Sequence, residues 1–417
     1  MDTLKPRDAK DVEDALQWAL GEGKALELGE GKALEIVGQG SKRAIGRPAQ
    51  TDLTLDLSGL SGVTLYEPEE LVLSAKAGTP LAEIEALVAS KNQMLAFEPM
   101  NYGPILGGVP ERGTIGGALA ANLSGPRRIK TGAARDHFLG FSAVSGRGET
   151  FKSGGRVVKN VTGYDLCKLM AGSWGTLGVM TEVTIKVLPR SEAETTIIVC
   201  GLDESAAVRA MTTGMSLPCE VSGAAHLPAA AAARIPVGDI IAPARALTVL
   251  RLEGVEPSVA HRKVALQAAL KDFGEIRFCS GIVSRDLWRA IRDVIPFAAS
   301  RTASDQPLWR ISTAPTKGPE LGRAIAAGAK AEMIYDWAGG LIWVVLAPAD
   351  DAGAALVRRA VKACGGHATL IRAPMAQRAA IDVLEPQVAG LAALTKRVKD
   401  SFDPKAILNP GRMWAGS

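Results

Sequence analysis

Residues 113–128 read GTIGGALAANLSGPRR, a stretch of glycines and alanines that leaves almost no side chain between the backbone and whatever lies against it. Thr114, Asn122 and Ser124 add hydrogen-bonding groups to this apolar wall, which is the usual make-up of a cofactor pocket. Small residues also allow a helix to pack closely on a sheet. The stretch therefore predicts either a cofactor wall or a close helix contact.

Two more glycine-rich stretches lie on either side of it along the chain. Residues 38–43 read GQGSKR after an apolar strand, and residues 159–181 read KNVTGYDLCKLMAGSWGTLGVMT. The first is not a dinucleotide fingerprint, because Arg43 occupies the sixth position and turn and strand residues follow where a helix is required. It predicts an ordinary β-turn, or a turn that binds an anion through its N–H groups and Ser41, with charge from Lys42 or Arg43. If all three stretches meet, they need a large, flat ligand that carries phosphate.

The composition excludes several classes of protein. A chain of 417 residues is long enough for two or three domains. Its net charge is only +4, and its basic residues form no cluster along the sequence that would predict a nucleic-acid partner. Five widely spaced cysteines without a C-x-x-C motif predict neither a disulfide framework nor a metal or iron–sulfur site. The polar N-terminus lacks the apolar core of a signal peptide, and residues 339–348 are too short an apolar stretch to span a bilayer. We therefore expect a cytoplasmic protein that reaches a membrane only through partners.

The pattern of apolar residues changes near residue 190. Before it, we expect a helix over 8–20, short strands over 53–57, 63–66 and 71–75, a helix over 80–89 and a strand over 178–188. After it, strands are expected over 195–201, 247–253, 275–280, 308–314, 332–337, 341–346 and 368–373, with helices between them, as over 259–273 and 284–295. This alternation, with a hairpin at Gly339–Gly340, predicts an antiparallel sheet with helices on one face. Turn residues in the tail predict ordered backbone there.

An eight-residue tandem repeat interrupts the first region. Residues 21–28 read GEGKALEL and residues 29–36 read GEGKALEI, which differ at one conservative position. Two copies are too few for a solenoid. We expect the second copy to form a buried strand that continues into Val37, and the first to be an added loop or strand.

Together these segments resemble a known family. The order GQGSKR, GTIGGALAANLSGPRR, GRVVKNVTGYDLCKLMAGSWGTLGVMTEVTIKVLP and FDPKAILNPGR is similar to that in the FAD-binding family of vanillyl-alcohol oxidase type, and within it to the FAD-binding E subunits of bacterial glycolate oxidases. The resemblance covers most of residues 34–190 and the tail. It implies an α+β fold with an FAD-binding domain of two subdomains over residues 1–190. A cap domain of antiparallel sheet with helices would cover 191–390, and a C-terminal segment, 391–417, would return to the FAD domain.

The same resemblance implies a function. The chain would be the FAD-binding subunit of a glycolate oxidase complex that oxidises glycolate to glyoxylate, together with a second flavoprotein subunit and an iron–sulfur subunit. Its flavin would accept hydride or relay electrons. The FAD would be non-covalent, because Gly40 stands where many relatives carry the histidine that attaches it. The alternatives are a self-sufficient FAD-dependent 2-hydroxy-acid dehydrogenase of the D-lactate type, and a binding protein in which FAD is structural or absent.

The resemblance also assigns residues to the cofactor. The first loop would hold the pyrophosphate, the middle stretch would line the flavin and the third would meet the adenine end. Pro99 and Met100 would lie beside the ring system, and Asn409 would approach the isoalloxazine. The implied cofactor-binding residues are Gly38, Gln39, Gly40, Ser41, Lys42, Pro99, Met100, Thr114, Gly116, Gly117, Asn122, Ser124, Gly125, Gly175, Gly178, Val179 and Asn409.

A catalytic base is not evident from the residues. Oxidation of a 2-hydroxy acid needs a group that takes the hydroxyl proton and a cation that binds the carboxylate. The histidines are expected at a strand edge, in an apolar loop, at a helix start and at a strand start: His137, His226, His261 and His367, respectively. They form no cluster typical of a metal site. Arg310 is the candidate carboxylate clamp, and a structural arginine packed beside Trp309 is the alternative.

Overall fold

The computed structural model describes residues 2–25, 32–156, 163–237, 245–302 and 305–416. The strands are β1 Asp2–Leu4, β2 Leu34–Val37, β3 Leu53–Asp56, β4 Val63–Glu67, β5 Val72–Lys76, β6 Gln93–Met94, β7 Phe138–Val144, β8 Thr150–Gly154, β9 Val179–Lys186, β10 Leu188–Pro189, β11 Ala193–Cys200, β12 Gly223–Leu227, β13 Leu247–Gly254, β14 Glu275–Ser280, β15 Leu308–Ser312, β16 Ala331–Asp336, β17 Leu341–Leu346 and β18 His367–Arg372. The helices are α1 Ala9–Ala25, α2 Leu81–Ala89, α3 Gly103–Leu106, α4 Ile115–Ala121, α5 Arg128–Thr131, α6 Ala134–His137, α7 Leu166–Met170, α8 Glu204–Ser216, α9 Ala229–Ala232, α10 Glu256–Leu270, α11 Gly281–Arg292, α12 Gly318–Ala326, α13 Ala354–Cys364, α14 Met375–Ala380 and α15 Ala389–Phe402.

The first half of the chain, up to residue 190, is built on two main sheets. One is a three-stranded parallel sheet in the order β1-β3-β2, and the other is a five-stranded antiparallel sheet in the order β4-β5-β9-β7-β8. Val12, Leu16 and Ala19 of α1 recur three or four residues apart, so they share one side of the helix and are fully buried. They share a core with Leu34 of β2 and Val179 of β9. This core joins the two sheets and holds the first residue of β2, Leu34, in place.

The second half forms an eight-stranded antiparallel sheet in the order β14-β11-β13-β12-β16-β17-β15-β18. Helices α8 and α10 cover one part of one face, and α12 and α13 cover the rest of it. The opposite face, called the inner face below, packs against the first half of the chain. There Ile198 and Trp343 of the sheet share a hydrophobic core with Ile45, Met100 and Tyr102. The inner face therefore lies next to loops of the first half.

A buried network of charged side chains joins the inner face to the first half. The Glu98 carboxylate accepts hydrogen bonds from the Arg127 backbone N–H at 2.6 Å and from Nη1 of Arg251 at 2.9 Å. The Arg127 guanidinium donates to both carboxylate oxygens of Glu253, at 3.0 and 2.8 Å. Burial alone would raise the pKa of Glu253, but Arg251 and Arg127 together lower it to about 2. These paired charges hold the sheet in position over the first half.

The C-terminal segment returns to the first half and pairs with β2. The Leu34 N–H donates to Ile407 O at 2.7 Å, and the Asn409 N–H donates to Leu34 O at 2.9 Å. The buried Asp403 carboxylate accepts hydrogen bonds from the N–H groups of Ile407 and Leu408, at 3.0 and 2.8 Å. The tail is therefore ordered backbone, as its turn residues predict.

Most expected elements of the second half are present, with one strand in addition. All seven expected strands are observed, with ends within two residues of those predicted. The sequence does not predict β12, because its residues GAAHL include no β-branched side chain, yet it pairs with β13 and β16. The expectation that His226 lies in an apolar loop is wrong: it is buried on β12, with Nδ1 at 2.9 Å from Thr248 Oγ1. His261 lies inside α10 and not at its start.

The tandem repeat adopts two different structures. Gly21–Ala25 of the first copy form the end of α1, so the expectation of an added loop or strand is wrong for these residues. Residues 26–31 lie outside the described residues. Residues 34–36 of the second copy lie in β2, where Leu34 and Glu35 are buried, as expected. Within the described residues, no helix combines the length and apolar character that crossing a bilayer would need.

Candidate functional site

The three glycine-rich stretches meet around a cavity in the first half of the chain. The space that these stretches surround, including its opening to solvent, is about 790 Å³. The described residues that line it are Glu35, Ile36, Val37, Gly38, Gln39, Gly40, Ser41, Lys42, Arg43, Leu57, Ala77, Thr114, Gly116, Gly117, Ala120, Ala121, Trp174, Gly175, Gly178, Met180, Asn409 and Arg412. They include no histidine, cysteine or tyrosine, the residue types that could attach a cofactor covalently.

Residues 38–43 form the turn that follows β2, called the first turn below. Gly40 has φ +73°, a left-handed conformation that glycine adopts without strain. The Arg43 N–H donates to Gly40 O at 3.1 Å, and the Ile45 N–H donates to Lys42 O at 3.0 Å. Within the described chain, the N–H groups of residues 39–42 have no hydrogen-bond acceptor, although these residues border the cavity. Consecutive free N–H groups form an anion-binding nest, so the first turn fits a phosphate group.

The free positive charge of the first turn belongs to Lys42, because Arg43 is already paired. Arg43 Nε lies 2.8 and 2.9 Å from the two carboxylate oxygens of Glu35, and Nη2 donates to Thr54 Oγ1 at 3.1 Å. This pairing also neutralises Glu35, which would otherwise repel an anion. Lys42 Nζ donates to Ser41 Oγ at 3.3 Å and has no carboxylate partner among the described residues, and burial lowers the pKa of its ammonium group to about 8. Of the two cations that the sequence offers, Lys42 is available to an anionic ligand.

Thr114 joins the first turn to α4. Its Oγ1 accepts a hydrogen bond from the Gly117 N–H at 3.2 Å and so caps the helix. A Cβ on Gly38 would lie 2.4 Å from the same Oγ1, so the two segments can touch only because residue 38 is glycine. The first turn and the start of α4, which are far apart in the sequence, thus touch each other at the edge of the cavity.

The paired glycines of α4 have different roles. A Cβ on Gly117 would lie 3.7 Å from Lys42 Nζ and would therefore project into the cavity. A Cβ on Gly116 would lie 2.8 Å from the carbonyl oxygen of Ala77, next to β5. Gly117 therefore borders the cavity and Gly116 allows the close helix contact, while a cofactor against this wall stays a prediction.

The C-terminal segment closes the cavity opposite α4. Asn409 Oδ1 accepts a hydrogen bond from the Ile36 N–H at 2.9 Å, and its Nδ2 donates to Trp174 O at 2.8 Å. Arg412 donates to the carbonyl oxygens of Lys42 and Arg43, at 2.7 and 3.2 Å. These bonds tie the third stretch and the first turn to the tail. The sequence analysis missed Arg412, although the Asn-Pro-Gly-Arg turn that carries it was the available signal.

The predicted cofactor residues fall into three groups. Those that line the cavity are Gly38, Gln39, Gly40, Ser41, Lys42, Thr114, Gly116, Gly117, Gly175, Gly178 and Asn409. Pro99 and Met100 line a second, larger cleft between the first half and the inner face, which Ser41 also borders. Asn122, Ser124, Gly125 and Val179 line neither.

Contacts with the protein explain the third group. Asn122 Oδ1 accepts the Arg135 N–H at 3.0 Å and Ser124 Oγ accepts the Ala134 N–H at 2.9 Å, so both side chains cap the start of α6. A Cβ on Gly125 would lie 2.7 Å from Glu98, in the charged network. Val179 is fully buried in the core that joins the two sheets. A contact between these four residues and a cofactor stays a prediction.

Arg310 lies on the inner face, in β15. Its guanidinium carbon is 5.0 Å from the ring centroid of Trp337. Trp309 belongs to the core on the opposite face, so the expectation that Arg310 packs beside it is wrong. Burial lowers the pKa of Arg310, and the charges of Tyr102, Arg128 and Asp336 also act on it.

Comparisons with known proteins agree with this geometry. Residues 3–154 match the sequence model of a family described as FAD binding domain. Glycolate oxidase subunit GlcE of Escherichia coli K12 is 35% identical over 381 residues, which are 91% of this chain and 92% of that protein. Glycolate oxidase subunit GlcD of Bacillus subtilis 168 is 30% identical over 151 residues, which are 36% of this chain and 30% of that protein.

A solved structure shows the same fold. The 4-ethylphenol oxidase from Gulosibacter chungangensis, in its isoeugenol complex, superposes with a TM-score of 0.69 at 14% identity, over 99% of this chain and 89% of that chain. The architecture is therefore α+β, with an FAD-binding domain of vanillyl-alcohol oxidase type and an antiparallel sheet with helices as its cap. With a relative matched over nearly its whole length, the chain belongs to the GlcE family of FAD-dependent oxidoreductase subunits.

Proposed function

We propose that this chain is the FAD-binding subunit of a glycolate oxidase complex, and that it holds FAD without a covalent bond in the cavity between the first turn and α4. The observation that carries the proposal is the meeting of three stretches of small residues around free N–H groups and a free ammonium. The small residues leave room for a long, flat ligand, and the free N–H groups and the ammonium suit its pyrophosphate. The described residues that line the cavity include no histidine, cysteine or tyrosine, which supports non-covalent binding.

The residues of the cavity would bind and orient the cofactor. The N–H groups of residues 39–42 and Lys42 would hold the pyrophosphate, and Gly117 would leave room for the ligand beside α4. Asn409 and Arg412 would position the surrounding backbone and not contact the reacting atoms, because their polar groups already bind protein carbonyl and N–H groups. When bound, FAD supplies an acceptor that can take two electrons and release them one at a time.

The complex would contain further subunits. Relatives of this chain are named as the E and D subunits of glycolate oxidase, which supports an assembly of at least two kinds of flavoprotein chain. We further propose an iron–sulfur subunit as the electron acceptor and glycolate as the substrate, oxidised to glyoxylate. Any association with a membrane would then come through these partners.

A second candidate is a self-sufficient FAD-dependent 2-hydroxy-acid dehydrogenase. Arg310 favours it, because a half-buried guanidinium without a carboxylate partner in the described chain could bind the acid carboxylate. Steady-state turnover of glycolate and D-lactate by the isolated chain with an artificial electron acceptor separates the two candidates. Robust turnover supports the stand-alone enzyme, and turnover only in the presence of the partners supports the subunit.

Purification of the chain alone tests the central claim. We expect flavin absorbance bands to co-elute with the protein on gel filtration, and acid precipitation to release all the flavin into the supernatant. Protein-bound flavin after acid treatment would contradict non-covalent binding. A colourless protein that takes up no added FAD would contradict the proposed site. A tag on this chain, used in its native host, should recover the other subunits.

A further inference from the structure

We propose that Arg310, Tyr102 and Arg128 form a binding site for a small carboxylate, so that this chain itself holds a 2-hydroxy acid next to its cofactor cavity. The inference rests on the proposed function, and it addresses a point that the function leaves open. A subunit of an electron-transfer complex could bind FAD only to relay electrons. A carboxylate site on the same chain makes it a substrate-binding subunit.

Arg310 has the properties of an anion ligand. Its strand neighbours Trp309 and Ile311 pack in the core beneath α12 and α13, whereas Leu308 packs in the core at the inner face. Because side chains alternate between the two faces of a strand, Arg310 is on the inner face, which packs against the first half. Within the described residues its guanidinium has neither a hydrogen-bond acceptor nor a carboxylate within ion-pair distance. The side chain is half-buried, so an anion can approach the guanidinium and supply the missing hydrogen-bond acceptor.

Tyr102 is a second, independent observation. Its side chain is only 3% exposed, and Oη has no hydrogen-bond partner in the described structure. Burial raises the pKa of the phenol, so the hydroxyl stays protonated and is a donor without an acceptor. Arg310 and Tyr102 are close enough for the charge of each to affect the other. A carboxylate has two oxygens and could accept from the guanidinium and the hydroxyl together.

Arg128 adds a second cation near the surface. It opens α5, and its guanidinium carbon lies 4.3 Å from the ring centroid of Trp337, the indole that Arg310 also contacts. Arg128 is exposed and has no carboxylate partner among the described residues. The Trp337 indole donates a hydrogen bond from Nε1 to Gly125 O at 3.1 Å, and the Trp337 backbone N–H donates to Asp336 Oδ1 at 2.7 Å. Trp337 therefore positions a half-buried and an exposed guanidinium, which suits capture of an anion from solvent.

Asp336 is a carboxyl group whose charge acts on Arg310. Within the described residues it forms no ion pair with the Arg310 guanidinium. Burial raises its pKa to about 7, so its carboxyl group is less fully charged at neutral pH than that of an ordinary aspartate. Its hydrogen bond goes to the backbone of Trp337 and not to either guanidinium. The positive charge of the two arginines is thus available to a ligand.

The position of Tyr102 links this site to the cofactor cavity. Lys42 Nζ lies 5.9 Å from the ring centroid of Tyr102, and Lys42 also lines the cofactor cavity. Tyr102 and Ser41 both border the larger cleft beneath the inner face. A carboxylate held by Tyr102 and Arg310 would therefore lie next to the cofactor cavity.

Oxalate is a suitable probe, since it has a carboxylate and cannot be oxidised as a 2-hydroxy acid. Calorimetric titration of oxalate into the purified, FAD-loaded chain, and the same titration into the FAD-free chain monitored by tryptophan fluorescence, measure binding without turnover. We expect Arg310→Met to weaken binding by about 10- to 100-fold, the loss of a charge-assisted hydrogen bond, and Tyr102→Phe by about fivefold. Arg128→Met should slow association more than it speeds dissociation.

The controls separate this inference from the proposed function. Arg209→Met, at an exposed position of α8, should bind oxalate as wild type does. All variants should keep wild-type flavin content and melting temperature, which reports that they fold. A wild-type chain that carries FAD but does not bind millimolar oxalate, or an Arg310→Met variant that binds oxalate normally, overturns the carboxylate site and leaves FAD binding intact. A wild-type chain that never takes up FAD contradicts the proposed function instead.

Discussion

The Lys42 ammonium offers a quantitative test of the cofactor site. Burial without a carboxylate partner in the described chain lowers its pKa from 10.5 to about 8. That difference corresponds to about 3 kcal/mol of destabilisation of the folded, FAD-free chain when the ammonium is charged. At pH 7, Lys42→Met removes this cost, so we expect the FAD-free variant to resist unfolding better than wild type by up to about 3 kcal/mol. The same change removes a cation beside the nest and should weaken FAD binding by about 2 kcal/mol.

The pH dependence of both effects has a definite sign. The pKa of Lys42 is lower in the folded chain than in the unfolded chain, so the destabilisation is complete below pH 8 and disappears as the pH rises from about 8 to 10.5. A bound anion favours the charged ammonium. FAD affinity should therefore be highest below pH 8 and should fall by up to about tenfold per pH unit above it. Lys42→Met should lack both slopes, because methionine does not titrate.

Urea unfolding of the FAD-free protein and equilibrium titration with FAD, each between pH 7 and 10, measure the two effects. Lys91→Met is the matched control, because Lys91 is exposed beyond the end of α2. A Lys42→Met variant that binds FAD as tightly as wild type, with the same pH profile, would refute the assignment of Lys42 to the phosphate. A FAD-free variant less stable than wild type would refute the argument from burial.

Gly117, Asn409 and Glu98 provide further tests. Gly117→Val places a side chain in the cavity and should abolish FAD retention. The control is Gly390→Val, in the first turn of α15, where an added Cβ has nothing within 4 Å and FAD should be retained. The measurement is the ratio of flavin to protein absorbance after gel filtration, and equal ratios in the two variants would contradict the placement of α4. Asn409→Ala leaves two backbone groups without partners and should lower the free energy of unfolding by about 2 kcal/mol, with weaker FAD binding; an unchanged urea midpoint would exclude the bridging role. Glu98→Leu leaves Arg251 without this partner and should cost about 3–5 kcal/mol in the same assay. Because its arginine partners lower the pKa of Glu98 despite its burial, its contribution is present at neutral pH and is lost in acid, where wild type and variant should converge.

The cavity could be predicted from the sequence because it depends on residue size. Glycine and alanine leave space for a ligand whichever way the surrounding side chains point, so the three stretches could be identified before their positions were known. The small size of a glycine does not, however, show whether that position faces a ligand or another part of the protein. Gly116 and Gly117 are adjacent and chemically identical, yet one faces β5 and the other faces the cavity. Only the rotation of α4 about its axis distinguishes them.

The direction of polar side chains could not be predicted in the same way. Asn122 and Ser124 can bind a ligand or a backbone N–H, and the nearby start of α6 provides the N–H groups. The sequence shows that such a side chain forms a hydrogen bond, but not with which partner. Lys42 and Arg43 illustrate the same limit, because their difference arises from Glu35, which neutralises one of them across the turn.

The order of strands in the large sheet was beyond the sequence for a different reason. Its expected strands follow from local apolar runs, but β12 carries only small residues and a histidine. β12 becomes a strand because β13 and β16 pair with it on both sides, so its structure depends on partners that are distant in the sequence. The placement of Arg310 depends on the same sheet. Arg310 could be named as a candidate from the sequence, but its place on the inner face, opposite to Trp309 and Ile311, depends on this sheet.

The cofactor cavity joins segments near both ends of the chain, and this makes the C-terminal segment part of the site. The backbone of Leu34 pairs with the tail, Asn409 ties β2 to the third stretch, and Arg412 supports the carbonyl groups of the first turn. The tail follows the eight-stranded sheet in the chain, so these contacts bring its end back to the first half. A ligand bound among them would stabilise the folded chain by mass action. We therefore expect cofactor binding to be coupled to docking of the tail, although none of the tail residues needs to touch the reacting atoms.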